Sequence, residues 1–374
     1  MYYLNLKDIR LINFRNYYNI DLELNEKINI FIGKNAQGKT NLIEAIYMCA
    51  SGKSFRTNRD KEIINFNKKQ AYIGTNIDFG NNQKFLEIKM EENKQKRIRI
   101  NKTELKNYRE LKGGLNVVVF TPEDLRIIKD GPQKRRRFLD TGISQVRPVY
   151  NYNISRYRKL LSQRNNILRT AKFKQDNDIN NLLEVFDIQI SKIGTSIMKA
   201  RYDYIEELSK FAKKTHNNIT EKEENLSLKY ISNVPISEDK ESMEKEYLNL
   251  TKQNIRRDLE YGTTEIGPHR DDIFMSINNK DVKIFGSQGQ QRTVMLSLIL
   301  SEVELIKIER GMYPVLLLDD VFSELDINRR KYLSKLFYNM QTFITLTNSE
   351  NIKSMDEFNK SIFYIEDGQV KSKE

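Results

Sequence analysis

The chain has 374 residues, of which 39% are hydrophobic and 30% charged, with 16 Gly, 6 Pro and one cysteine. At roughly 150 residues per domain this predicts two or three units with full cores, and it excludes collagen-like, mucin-like and disordered chains. The net charge of +12 is concentrated: Lys134 to Lys174 holds twelve Lys/Arg against Asp140 alone, so the rest is nearly neutral and an anionic polymer is the expected partner.

No apolar run approaches the ~20 residues that span a bilayer. The first residues show no secretory pattern. Cys49 alone cannot form an internal disulfide, and with two histidines there is no usual zinc site. The expectation is a cytoplasmic protein with no membrane partner.

In chain order, residues 1–32 read as strands, from Leu4, Leu6, Ile9 and Leu11 through Ile20, Leu22 and Leu24 to Ile28, Ile30 and Ile32. A polar loop follows. Leu42, Ile43, Ala45, Ile46 and Cys49 then recur with helical spacing until Ser51-Gly52. Residues 70–100 alternate in short runs broken at Gly80 and Glu92, the pattern of an antiparallel meander. Leu115–Phe120 predicts a buried strand, and Thr121-Pro122-Glu123-Asp124 a helix start. Helical character runs on to about His216, with Leu182, Phe186, Ile190, Ile193, Ile197, Ile205 and Leu208 three or four apart. That predicts a helix pair or small bundle, too short for a long coiled-coil arm. Residues 217–250 are polar and weakly patterned, with one strand at Leu226–Ile231. Tyr313–Leu318 and Phe343–Thr347 read as further strands.

Gly33-Lys34-Asn35-Ala36-Gln37-Gly38-Lys39-Thr40 matches G-x-x-x-x-G-K-[ST] between a predicted strand and a predicted helix. Glycines there let the backbone close around phosphate, and the loop N–H groups with the helix N-terminus face the anion. Lys39 is placed to reach the β- and γ-phosphates of a nucleotide such as ATP, and Thr40 to ligate Mg2+. Val315–Leu318 ends in Asp319 and Asp320. Asp319 is the expected magnesium carboxylate, and Asp320 the group that orients or deprotonates attacking water. About 280 residues separate the two motifs, so both ends of the chain must meet around an insertion.

Ser287-Gln288-Gly289-Gln290, opening an amphipathic helix, resembles the signature of ABC-type ATPases, and Ser323-Glu324-Leu325-Asp326 resembles their D-loop. Nearly the whole chain resembles the RecF family of bacterial recombination and repair proteins. The matching runs include Lys7–Tyr17, Phe120–Leu125, Arg135–Asp140, Gly267–Asp272 and Leu317–Asp326. The resemblance implies an α/β fold: an ABC-type, SMC-like P-loop ATPase head with an antiparallel β subdomain, an inserted helical lid and no long coiled coil. The head is expected over 1–120 plus 262–374, and the mainly helical lid over 121–261.

The resemblance also implies ATP-dependent homodimerisation, with Ser287 and Gly289 meeting the γ-phosphate of the other subunit. It implies sequence-independent binding of single- and double-stranded DNA, action with RecO and RecR to load RecA at gaps and stalled forks, and a role in the SOS response. Asn348 lies at or near the place where ABC ATPases carry a sensor histidine. Asn cannot become cationic, so slow hydrolysis is expected. Candidate DNA contacts are Arg135, Arg136, Arg137, Arg156, Arg158, Lys159 and Arg164, whose charges would neutralise phosphates. A transporter's energising subunit shares the signature, but the basic insertion and the missing histidine speak against it.

Overall fold

The structure, a computed structural model, describes residues 4–80, 82–106, 111, 114–171, 177–322, 325–348 and 357–373. In chain order the elements are β1 (Asn5–Leu6), β2 (Asp8–Phe14), β3 (Tyr17–Glu23), β4 (Ile28–Ile32), α1 (Lys39–Ser51), β5 (Gln70–Asp78), β6 (Gln83–Glu91), β7 (Arg97–Ile100), β8 (Thr103–Glu104) and β9 (Val117–Phe120). There follow α2 (Arg126–Lys129), α3 (Pro132–Val146), α4 (Pro148–Ala171), α5 (Asn177–Ile219), β10 (Leu226–Ile231), α6 (Lys240–Gln253), α7 (Ile255–Tyr261), β11 (Asp272–Ile277), β12 (Lys280–Asp281) and α8 (Val282–Phe285). The chain ends with α9 (Gln288–Arg310), β13 (Val315–Leu318), α10 (Ile327–Ser334), β14 (Thr342–Leu346), β15 (Lys360–Glu366) and β16 (Gln369–Lys373).

Two compact units result, Met1–Leu125 with Leu298–Glu374, and Arg126–Ser297. The expected head and lid boundaries fall at 120/121 and 261/262. Residues 262–297 instead group with the second unit, because β11 pairs antiparallel with β10 along its whole length.

The first unit contains two sheets. One has the order β16-β15-β4-β14-β13-β9 and is parallel apart from the β15–β16 hairpin. Its strands β4, β13 and β14 are buried at every position, which is why they read as unbroken apolar runs rather than alternations. The other sheet is antiparallel, with order β3-β2-β5-β6-β7-β8 and β1 beside β5.

One hydrophobic core joins side chains of both sheets and of α1. Helix α1 buries Leu42, Ile43, Ala45, Ile46, Met48 and Cys49, so almost its whole circumference is interior. Phe31 on β4 anchors this core, its ring 6.2 Å from Phe343 and 5.5 Å from Phe363 on the flanking strands. Gly52 ends α1 in the left-handed conformation, donating its N–H to the Met48 carbonyl.

The second unit packs α5, a 43-residue helix, against α4, α6 and β10. Helix α6 lies largely within the polar, weakly patterned stretch 217–250. Its buried stripe is Met243, Tyr247 and Thr251, too sparse to stand out, and Asp239 caps its start by accepting from Glu241 and Ser242 N–H. The interior of this unit is unusually polar. Arg164 is fully buried and bonds Asp187 at 2.5 Å, Asp258 at 2.6 Å and Thr264 at 2.8 Å. Arg201, also buried, bonds Tyr150, Asp140 and the Pro268 carbonyl. Among the described residues, no helix is long and apolar enough to cross a membrane.

Candidate functional site

The phosphate loop sits where β4 leaves the centre of the parallel sheet. Its tight course follows from two glycines. A Cβ on Gly33 would lie 2.3 Å from the Ile365 carbonyl oxygen, so no larger residue fits. Gly38 has φ 117°, which L side chains rarely adopt, and its Cβ position is blocked by Asn16 and Tyr17.

Gly38 is also the N-cap of α1. It supplies no side-chain acceptor, and the first turn holds no acid. The helix N-terminus therefore presents its N–H groups and dipole to an incoming anion. Lys39 is 4% exposed, and its Nζ donates to the Gly33 carbonyl at 2.7 Å and to the Lys34 carbonyl at 3.1 Å. The ammonium is thus held across the loop by the loop's own carbonyls.

Two hairpin turns clamp the loop from outside. Asn16, between β2 and β3, donates to the Gln37 carbonyl at 2.9 Å, and Asn41 donates to Asn16 Oδ1 at 2.7 Å. Tyr17 OH donates to the Gly38 carbonyl at 3.0 Å. From the β15–β16 turn, Gly368 N–H meets the Gln37 carbonyl at 3.1 Å and Asp367 N–H meets Gln37 Oε1 at 2.5 Å. None of these braces is among the site residues expected from the sequence. Asn16 and Tyr17 fall within the run Lys7–Tyr17 that carries the family resemblance, but only the fold shows which loop the β2–β3 turn supports.

Glu44, one turn into α1 and fully buried, binds Arg15 through Nε at 2.8 Å and Nη2 at 2.6 Å. It also accepts from Ser54. Arg56 reaches Asn41 at 2.7 Å and Glu44 at 3.3 Å, which ties it to the start of α1.

The acidic strand comes to the same place. β14 lies between β4 and β13, so the ends of β4 and β13 approach one another across it. Thr40 Oγ donates to Asp319 Oδ1 at 3.0 Å, although the two residues are 279 positions apart. Thr345 on β14 donates to the same oxygen at 2.9 Å and accepts the Asp320 N–H at 2.8 Å. Asp320 itself has φ 53°, a left-handed conformation that a non-glycine residue adopts only when its surroundings hold it.

Burial raises the Asp319 carboxyl above its ordinary range. The Thr345 and Thr40 hydroxyls pull it back down, and neighbouring Asp320 pushes it up again. A cation there would complete the charge balance. The pair on offer, one hydroxyl and one carboxylate, is the hard oxygen chemistry that Mg2+ takes. Thr345 was missed in the sequence because nothing local distinguishes it from any strand threonine.

In the second unit, Ser287 and Gln290 form a reciprocal cap at the start of α9. Ser287 Oγ accepts Gln290 N–H at 3.1 Å, and Gln290 Oε1 accepts Ser287 N–H at 2.9 Å. Gln288 and Gly289 lie in the first turn of the same helix. Asp326 caps α10 by accepting Arg329 N–H at 2.9 Å, whereas Ser323 lies outside the described residues. Asn348 is exposed two residues beyond β14.

The basic segment divides sharply by exposure. Arg135 is 4% exposed, pairs with Asp272 through two bonds of 2.5 and 2.9 Å, and bonds the Asp130 carbonyl at 2.7 Å. Arg164 is fully buried. Neither can face a DNA backbone, which corrects the sequence reading of both. The reason is the helical stripe: Arg164 falls in register with Tyr157, Leu160 and Leu168 on the inner face of α4. Arg136 is half-buried and donates to the Asp271 carbonyl at 2.7 Å. Arg137, Arg156, Arg158 and Lys159 are exposed, with Arg158 held by Asp140 at 2.8 Å.

His269 is also interior. Burial pushes its imidazole down to about 4. The neutral ring donates from Nε2 to the Thr264 carbonyl at 2.7 Å and accepts Tyr157 OH at Nδ1 at 2.8 Å.

The family model RecF/RecN/SMC N terminal domain matches residues 5–371. The chain is 44% identical over 367 residues to the DNA replication and repair protein RecF of Alkaliphilus oremlandii (strain OhILAs), covering 98% of this chain and 99% of that one. It is 45% identical over 365 residues to the RecF of Clostridium novyi (strain NT), with the same coverage. A solved structure of the recombination mediator protein RecF with ATP, in the RecFOR pathway, superposes with a TM-score of 0.91 at 37% identity, covering 100% of this chain and 98% of that chain. The Smc head domain of Pyrococcus furiosus shares the fold, with a TM-score of 0.57 at 14% identity over 99% of this chain and 96% of that one.

Proposed function

This chain belongs to the RecF family of DNA replication and repair proteins, and from that premise we propose that it is an ATP-gated DNA-binding protein. One observation carries the proposal furthest. Thr40, at the end of the phosphate loop, and Asp319, at the end of the acidic strand, meet at 3.0 Å, with Lys39 held across the loop beside them. The ATP complex of the relative with a TM-score of 0.91 supports ATP as the ligand.

In this reading Gly33 to Thr40 bind the phosphates, with Lys34, Asn35, Ala36 and Gln37 forming the loop and Lys39 countering the γ-phosphate charge. Thr40 and Asp319 would hold Mg2+, which when bound would supply positive charge against the phosphates. Asp320 orients water for attack. Thr345 fixes both aspartates, one through its hydroxyl proton and the other through its lone pair.

Ser287 and Gly289 complete the site of a second copy, with Gln288 and Gln290 shaping the turn and Ser323 and Asp326 at the subunit junction. ATP binding thereby closes a homodimer on single- or double-stranded DNA. Slow hydrolysis, with Asn348 in place of a histidine, reopens it. Exposed Arg156, Lys159, Arg137 and Arg158 contribute sequence-independent phosphate contacts. The place of action is the cytoplasm, on the nucleoid, at gaps and stalled forks. There the protein assists RecO and RecR in loading RecA and supports the SOS response.

The test is DNA retention by the wild-type chain, Lys39→Ala and Asp320→Asn, each with ATP and magnesium. Lys39→Ala should lose the ATP-dependent component. Asp320→Asn should bind DNA at least as well as wild type but release it far more slowly. Turnover by Asp320→Asn at the wild-type rate would remove Asp320 from its assigned role.

A further inference from the structure

The cap that holds Ser287 does not stand alone. Gln290 uses its carbonyl on the Ser287 N–H, and its amide Nε2 donates to Glu224 Oε1 at 2.9 Å. Glu224 lies in the turn before β10, and its other oxygen meets His216 Nε2 at 2.9 Å. His216 is fully buried near the end of α5. Its Nδ1 lies 3.2 Å from Ser297 Oγ, further along α9, and Ser297 Oγ donates to the Thr293 carbonyl at 2.7 Å. The Glu224–His216 pair thus grips α9 at residues 290 and 297. Those points are about 10 Å apart at 1.5 Å of rise per residue.

An ionised carboxylate is acceptor-only. Glu224 therefore compels the Gln290 amide to turn its NH2 outward and its carbonyl towards the Ser287 N–H. That orientation completes the reciprocal cap. In the cap Ser287 Oγ spends a lone pair on Gln290 N–H and keeps its own proton. Ser287 is exposed, so that proton is available to an acceptor beyond the helix end.

We propose that Glu224, anchored by His216, is a positioning residue that sets the Gln290 amide and so aims the Ser287 hydroxyl at the nucleotide phosphate of a second copy of this chain. The inference rests on the reading of Ser287 as a trans contact. It adds that the end of α5 and the turn before β10 control how well that contact forms.

The experiment is ATP- and magnesium-dependent dimerisation by sedimentation, with binding of a fluorescent ATP analogue to the monomer measured in parallel. Glu224→Ala should weaken dimerisation about tenfold, the scale of one lost cap hydrogen bond, while the monomer binds the analogue unchanged. Gln290→Glu, which keeps the cap acceptor but repels Glu224, should weaken it similarly. Glu224→Gln should recover most of the loss.

The cost of Ser287→Ala should shrink in the Glu224→Ala background, because a misaimed hydroxyl has less to lose. A general structural defect would leave the two costs additive, and additive costs overturn the proposal. So does wild-type dimerisation by Glu224→Ala. A wild-type chain that stays monomeric with ATP overturns the trans reading itself, and this inference with it.

Discussion

Replacing Arg164 by Met separates an interior arginine from a DNA-contacting one. The guanidinium is fully buried between two carboxylates, at 2.5 Å from Asp187 and 2.6 Å from Asp258, and also bonds Thr264. Removing one partner of a buried ion pair costs about 3–5 kcal/mol, because the charge left behind has lost both its solvent and its counter-ion. For a domain of about 150–250 residues each kcal/mol shifts Tm by about 2–4 °C, so a fall of about 6–20 °C is expected.

The deficit should depend on pH with a definite sign. Burial already holds Asp187 and Asp258 above their ordinary value of 3.8, against the opposing pull of Arg164. Without the guanidinium both rise further. A raised folded value means stability present at low pH and lost as pH rises through that value, so the variant's deficit should grow as pH rises above the ordinary carboxylate value of 3.8. Replacing Asp187 and Asp258 by Leu in the same chain should recover part of the loss.

The assay is calorimetric or fluorescence-detected melting, with DNA binding followed in parallel. Arg156→Met is the comparison, since Arg156 is exposed. Its stability should change by less than about 0.5 kcal/mol. Its DNA affinity should fall, with a salt slope shallower by about 0.9 for each phosphate that is no longer neutralised. Wild-type melting of Arg164→Met with weakened DNA binding would refute the reasoning.

Glu302 on α9 is 5% exposed, and burial, reinforced by Asp124, pushes its carboxyl up to about 8 from 4.5. The native state then holds a proton that the unfolded chain gives up, so this group's contribution is lost as pH rises from 4.5 to about 8. Glu302→Gln should flatten that decline and melt higher than wild type at pH 8; a lower melt at pH 8 would contradict the assignment. Thr345→Val withdraws the hydroxyl from Asp319 and the acceptor from the Asp320 N–H. It should cost about 1–3 kcal/mol in chemical denaturation. It should also slow turnover more than it weakens ATP binding, and an unchanged kcat would show that Thr345 does not set the aspartates.

What could be read in the sequence depended on whether a residue's partners were local. The phosphate loop was legible because a strand, a glycine loop and a helix follow one another, and Gly33, Lys39 and Thr40 take their places within eight positions. Asp319 was legible because it ends an unbroken apolar strand. The insertion was legible from the distance between those two motifs. By contrast, Thr345, Asn16 and Glu224 act through partners 21 to 66 positions away, and nothing in their own surroundings marks them. The basic run misled in an instructive way: charge counting treats all arginines alike, whereas the inner stripe of α4 takes Arg164 inside and leaves Arg156 and Lys159 out.

The most direct measurement is the mass of the protein in solution by light scattering, with no nucleotide, with ADP, and with ATP and magnesium, each with and without a short DNA duplex. The account predicts a monomer in the first two conditions. With ATP it predicts a dimer that retains the duplex more tightly than the monomer does. A mass that never changes, with DNA binding indifferent to ATP, would contradict it.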